Sequence, residues 1–354
     1  MARITRTLQL PMPADAVNQQ RAQQFFGAYT CQMMVGPLDT PFYLGTPTPR
    51  ACRFCGRTEP EVSFRKDAHV MPDFMGNRNI LSYFECDTCN ALFAKYEDSF
   101  ANYLGVARTF NQIKGKNKKV PKFKDNKTGL EVSMGAEGLH IKTIQGQDPL
   151  IIDEATNSAQ LVTTRPSYIP IHLVKLLLKM ALCLLDEPEV ADYAWARRFV
   201  TSEEHDEAAQ GMGLLSVMMH SIPGPPVFPA PFAQLYTRNE TAPADIPEKV
   251  FVLYYANYYF QLALPFSRVD KVRFLAITPP LKTIDIPVFP LLIGETWLAD
   301  YGPASFKRVD FTSNQKRVGE EHRFSLSFEK MVELPLDPAA PNDASHGAID
   351  VKPA

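Results

Sequence analysis

The clearest apolar pattern begins at Asp87: Leu92, Phe93, Tyr96, Phe100, Tyr103 and Leu104 recur at helical spacing, and Gly105 supplies a stop. Upstream, Glu61 to Val70 reads as a strand that Pro72 and Gly76-Asn77 break into a loop, and Ile80 to Glu85 gives a second short strand. The local order is strand, loop, strand, helix. Residues 1–50 read as an irregular, proline-punctuated lead-in with one short helix from Asp15 to Phe26, and Leu130 to Ile144 alternates as a hairpin does.

Further along, Ile171 to Leu185 is apolar nearly all round, with Lys175 and Lys179 four apart, and predicts a core helix. Pro188 to Val200 predicts another helix. Val250 to Leu264, Val272 to Ile277 and Ile284 to Ile293 are rich in β-branched and aromatic residues and read as strands. Within the first of these, Tyr254, Tyr255, Tyr258, Tyr259 and Phe260 read as a buried face rather than a base-stacking surface. Beyond Leu334 the composition turns to Pro, Ala, Asp and Ser and predicts disorder.

A chain of 354 residues exceeds what one core usually serves. The expected class is α+β, in which a small module over 51–110 joins a larger mixed α/β domain over 151–334. Residues 111–150 form a basic linker with the hairpin, and 335–354 are a tail. No apolar stretch reaches membrane-spanning length. Nothing near Arg3 and Arg6 reads as an export signal, so the expected compartment is the cytoplasm.

Charge changes this picture. Residues 50–130 carry fifteen Lys or Arg against nine Asp or Glu, a net of +6, and the whole chain is −2, so the remainder carries −8. The basic stretch is the expected footprint of a phosphate-binding surface. Lys114, Lys116, Lys118, Lys119 and Lys122, just after the first helix, are its candidate contacts, with a solvated loop as the plainer reading.

The same stretch holds Cys52-Arg-Phe-Cys55 and Cys86-Asp-Thr-Cys89, thirty residues apart, while Cys31 and Cys183 stand alone and read as small buried hydrophobes. Two such pairs in a reducing compartment predict one tetrahedral zinc ion (Zn2+) held by four thiolates. Zinc so held has no open position and is structural. Chemistry must come from other residues, and the staple would bring His69, at the end of the first strand, and Asn90, at the start of the helix, to one cleft.

Taken together, Cys-x-x-Cys, Asp-Ala-His69-Val-Met-Pro, Gly-Asn77, Glu-Cys86-Asp-Thr-Cys89-Asn90 and Glu97-Asp98 resemble the zinc-stapled HNH (His-Me finger, ββα-metal) endonucleases. The resemblance implies that His69 is the general base, that Asn77 or Asn79 is the middle residue, and that Asn90 binds a catalytic Mg2+ or Mn2+. Many relatives carry an Asp or His immediately before the first His, where this chain has Ala68. Glu97, two helical turns after Asn90, is the preferred replacement ligand, and Asp67 on the strand is the alternative.

The implied activity is metal-dependent hydrolysis of phosphodiester bonds in nucleic acid, with DNA favoured. The resemblance also implies association with bacterial defence, with a homo-oligomer or a defence-system partner left open. The competing reading is a catalytically silent zinc module that binds nucleic acid or a protein.

Overall fold

A computed structural model describes residues 15–115, 119–125, 127–135, 138–144, 149–202, 215–275, 285–334 and 346–353. Asp15 caps α1 (Ala16–Ala28) by accepting the Asn18 backbone N–H at 2.8 Å, and α1 runs directly into β1 (Tyr29–Val35). The expected lead-in is thus largely ordered: Phe25 and Tyr29 are buried, and β1 is an edge strand of the main sheet.

Next come β2 (Phe42–Leu44), β3 (Ala68–His69), a 3-10 turn (Asp73–Met75) and β4 (Ile80–Ser82), which form a small sheet in the order β2-β4-β3. The strand expected over 61–70 shrinks to β3. Asp87 is the reason, because its carboxylate takes the Arg65 and Lys66 N–H groups that a longer ladder would need. Helix α2 (Asp87–Leu104) ends at Gly105, which has φ 55°. The short α3 (Ala107–Phe110) follows.

Five strands come next: β5 (Phe123–Asp125), β6 (Leu130–Met134), β7 (Leu139–Ile144), β8 (Leu150–Asp153) and β9 (Ser158–Thr164), with β6 and β7 antiparallel as the alternation predicts. Helix α4 (Pro170–Cys183) is buried almost throughout, and proline at its start removes no needed donor. The helix expected over 188–200 splits into a 3-10 segment (Glu187–Tyr193) and α5 (Ala194–Thr201).

The main sheet is built from β10 (Ser216–Ser221), β11 (Phe228–Arg238), β12 (Lys249–Ala256) and β13 (Tyr258–Leu264). The single run Val250–Leu264 is therefore a hairpin. It turns at Ala256-Asn257, where Asn257 donates to the Ile222 and Gly224 carbonyls at 3.0 and 2.7 Å.

Two expected strands are not strands. Val272–Ile277 lies on helix α6 (Arg268–Leu275), which starts where the Ser267 hydroxyl accepts the Asp270 N–H at 3.0 Å; residues 276–284 lie outside the described set. Residues 285–293 are extended but pair with side chains: Gln261 donates to the Pro287 carbonyl at 2.7 Å and accepts the Phe289 N–H at 2.6 Å. Pro287 and Pro290 lack the donors a ladder needs.

Helix α7 (Glu295–Tyr301), β14 (Ser305–Asp310) and β15 (Glu321–Leu334) follow. In the expected tail, 346–353 form β16 (His346–Pro353) between β7 and β15; residues 335–345 lie outside the described set.

The main sheet has the order β1-β11-β12-β13-β10-β14, and the second has β5-β6-β7-β16-β15-β9-β8. Helix α4 packs between α2 on one side and β12 and β13 on the other. One buried cluster consequently runs from the cysteine pairs through Phe93, Phe100 and the leucines of α4 to the main sheet. A separate cluster, with Val132, Ile141 and Leu161 at its centre, fills the second sheet. Neither core follows one continuous stretch of sequence. Cys183 is buried in the first, whereas Cys31 is exposed.

Candidate active site and cysteine cluster

The Sγ atoms of Cys52, Cys55, Cys86 and Cys89 all lie within 4.8 Å of one another. Zinc–sulfur bonds of ~2.3 Å give a tetrahedron with sulfur–sulfur edges of about 3.8 Å. Cys52 to Cys89 is 3.7 Å and Cys55 to Cys86 is 3.8 Å, so the donor set is compatible with a zinc staple. The first knuckle closes through Gly56, which has φ 76° and donates to the Cys52 carbonyl at 2.8 Å. Cys86 caps α2, and the Asn90 N–H closes the second knuckle on its carbonyl at 2.9 Å.

Asp87, beside this knuckle, orients the segment that leads to His69. Its carboxylate accepts from the Ser63 hydroxyl at 2.6 Å and from the Lys66 N–H at 3.0 Å. The Ser63 bond, aided by those backbone donors, holds the carboxyl below the usual carboxylate range. A carboxylate also suits the positive end of the α2 dipole.

His69 is half-buried on β3, opposite Leu81 of β4. Asn77 is buried in the loop between these strands, donating to the Met71 and Ile80 carbonyls at 2.6 and 3.0 Å and accepting the Ile80 N–H at 3.0 Å. Asn79 faces the other way and donates to the Leu38 carbonyl at 2.6 Å. Asn90 and Glu97 are half-buried on α2.

The geometry adds a residue that the sequence left unassigned. Lys179, from the middle of α4, donates to the His69 carbonyl, and its ammonium lies 3.0 Å from the Glu85 carboxylate. Both side chains are closed off from solvent, at 1% and 0% exposure, so neither charge could remain there without the other. Burial opposes the ammonium, but Glu85, Cys183 and Glu97 outweigh it and raise its pKa. Burial raises that of Glu85 in turn, with Lys179 opposing. Glu97 is pushed up to about 7 by burial, against Lys179 and with help from Glu85, Asp98 and Asp73. The His69 carbonyl and the Glu85 carboxylate thus meet at one lysine, whose charge Glu97 also feels.

Asp67 does not join that group. It is exposed and accepts from the Tyr43 hydroxyl at 3.0 Å. Among the described residues, only the four cysteines form a cluster of His, Cys, Asp or Glu close enough to share one ion without rearrangement.

Arg53, inside the first knuckle, is the second residue that spacing did not single out. Its guanidinium donates to the Leu182, Cys183 and Leu185 carbonyls at 3.0 Å each, pairs with Glu187 at 2.6 Å and stacks 3.8 Å over Phe84. It satisfies carbonyls that the end of α4 leaves open. Of the candidate lysines, Lys114, Lys119 and Lys122 are exposed, and Lys122 shares Glu131 with Lys124 at 3.6 and 2.7 Å. Lys116 and Lys118 lie outside the described residues.

Residues 52–103 match the family model for HNH endonuclease. That segment contains both cysteine pairs, the β3–β4 loop and α2. The family is one of nucleases, and its substrate class is nucleic acid. No curated protein and no solved structure matches the chain. Among the described residues, no helix is long and apolar enough to cross a membrane.

Proposed function

We propose that this protein is a metal-dependent endonuclease that hydrolyses phosphodiester bonds of nucleic acid, with DNA as the favoured substrate and bacterial defence as a fitting setting. What carries the reading is the meeting of the His69 carbonyl and the Glu85 carboxylate at Lys179, in a chain whose residues 52–103 match the nuclease family. A silent binding module has no need of a buried lysine that fixes the backbone of this histidine.

In this reading the His69 imidazole takes a proton from the attacking water, acting as a general base. Asn77 holds the loop that sets the angle of β3. Lys179 positions His69 through its carbonyl. Asn90 and Glu97 are the groups that would hold Mg2+ or Mn2+: an amide oxygen and a half-buried carboxyl whose charge burial disfavours and a cation would restore. Bound there, the cation would supply Lewis-acid neutralisation of the phosphate. Zinc at the four cysteines would keep α2 fixed against β3.

The test is a cleavage assay on supercoiled plasmid, single-stranded DNA and RNA with Mg2+, Mn2+ or EDTA. The unmodified protein should cut with metal and stop with EDTA. His69→Ala should abolish cutting while leaving zinc content and nucleic-acid binding intact. Asn90→Ala and Glu97→Ala should be partly rescued by more metal, and Asp67→Ala should not respond to it. Undiminished cutting by His69→Ala would remove the proposed base, and failure of the unmodified protein under every condition would favour the binding module.

A further inference from the structure

At the far end of α2, the edge strand of the main sheet faces the long strand of the second sheet across a cleft of about 250 Å3. Tyr103 closes one wall, Ser305 and Lys307 of β14 another, and His322 and Arg323 of β15 a third, with Arg165 between them. A rise of ~1.5 Å per residue places this end of α2 about 20 Å from Asn90, so the cleft is separate from the candidate active site.

The lining is dominated by hydrogen-bond donors. Arg165, only 9% exposed, is held in place on every side: it lies 4.4 Å over the Tyr103 ring, donates to Glu320 at 2.5 Å and meets both ring nitrogens of His322 at 3.0–3.1 Å. Glu320 is fixed in turn by the Tyr168 hydroxyl at 2.6 Å. Arg323 is neutralised by Glu321 at 2.6 Å. Lys307 is left over, with no carboxylate at ion-pair distance among the described residues. Hydroxyls of Ser221, Ser305 and Ser325 complete the lining.

We propose that this cleft binds a small phosphate-bearing molecule whose phosphoryl group lies against Lys307, Arg165 and the serine hydroxyls. Three acceptor oxygens and a dianionic charge match a donor-rich wall with one cation to spare. At roughly 30 Å3 per water, the space equals about eight waters, room for a phosphoryl group and a small part of the molecule that carries it, the rest extending through the open side.

Present electrostatics agree. Burial and the Arg165 charge lower the Lys307 pKa, and burial with Arg165 and Lys307 takes His322 down to about 3. The cations crowd one another, and an oxyanion would relieve them. Because the cleft lies away from His69, its occupancy can be tested whether or not the protein cuts nucleic acid.

The experiment is titration calorimetry and thermal shift on the full chain with orthophosphate, ribose 5-phosphate, AMP and an oligonucleotide, with acetate and ribose as controls. The phosphates should bind and raise the melting temperature, while acetate and ribose should not. Lys307→Ala should weaken binding about tenfold, and Lys307→Arg should restore most of it, with melting of the unliganded variants checking that each is folded. Tighter binding of AMP or ribose 5-phosphate than of orthophosphate identifies an organic phosphate as the occupant, and equal binding identifies the ion; both uphold the phosphoryl site. Binding of the oligonucleotide alone, no binding of any phosphate, or binding that Lys307→Ala leaves unchanged would overturn it.

Discussion

Replacing Lys179 by methionine keeps an unbranched side chain, one atom shorter, and removes its charge. The native ammonium is 1% exposed, 3.0 Å from a Glu85 carboxylate that is 0% exposed. Deleting one partner of such a pair leaves an uncompensated buried charge, at about 3–5 kcal/mol. With roughly 2.1 cal/mol/K of unfolding entropy per residue over 354 residues, the melting temperature should fall by about 4–7 °C. The double variant Lys179→Met/Glu85→Leu removes both charges and should recover most of that loss, since replacing a buried pair by apolar side chains of similar volume is close to neutral in stability.

Activity should not recover with it, because the His69 carbonyl has lost its donor in both variants. Plasmid cleavage by the double variant should show turnover reduced roughly tenfold or more with KM unchanged, the signature of a misplaced group rather than a lost binding contact. Calorimetric melting and steady-state cleavage kinetics together decide the matter. A single variant that melts with the native protein would refute the buried-pair argument, and native turnover in the double variant would refute a positioning role for Lys179.

Cys86→Ser should lose the single zinc expected per chain and destabilise the segment around it; elemental analysis of folded native protein without zinc or another thiophilic metal would contradict this. Neutralising Lys114 and Lys119 should weaken nucleic-acid binding and flatten its salt dependence by about 0.9 log units per lost phosphate contact, whereas an unchanged slope would return the run to a solvated loop. Asp270 is fully buried, and burial, reinforced by Glu248, pushes its carboxyl up to about 7 against the ordinary 3.8. The folded state therefore keeps this proton where the unfolded chain has lost it, and stability falls as pH rises from about 4 to 7, by at most roughly 4 kcal/mol. Asp270→Asn should flatten that fall while still accepting the Glu248 N–H; parallel melting curves for the two proteins across this range would rule it out.

What was legible in the sequence was what local pattern dictates. The cysteine spacing, the α2 periodicity ending at Gly105 and the alternation of β6 and β7 all act over a few residues, and each is present in the fold. Where partners are remote, pattern misled. The strand over 61–70 failed because Asp87, more than twenty residues on, takes its donors. Residues 285–293 look like a strand, yet their partners are the side chains of Gln261, His220 and Asn18. Helix α6 carried a readable signal, Ser267-x-x-Asp270, which the β-branched residues after it obscured. Lys179 offered a hint as well, because a charged residue on an otherwise apolar core helix must find a partner, but that partner lies 110 residues away.

Arg53 has a consequence for anyone who would move the family-matched segment elsewhere. It belongs to the knuckle, yet its guanidinium closes the carbonyl end of α4, and the faces of α2 and α4 share one core. A fragment cut at the edges of the family match would carry the four cysteines away with an arginine stripped of its carbonyl partners and a bare aromatic flank at Phe93 and Phe100. Grafted onto a foreign carrier, it would behave as a torn surface rather than a cassette. The smallest transplantable unit includes α4, so the family-matched segment and the body that supplies Lys179 have to be inherited together.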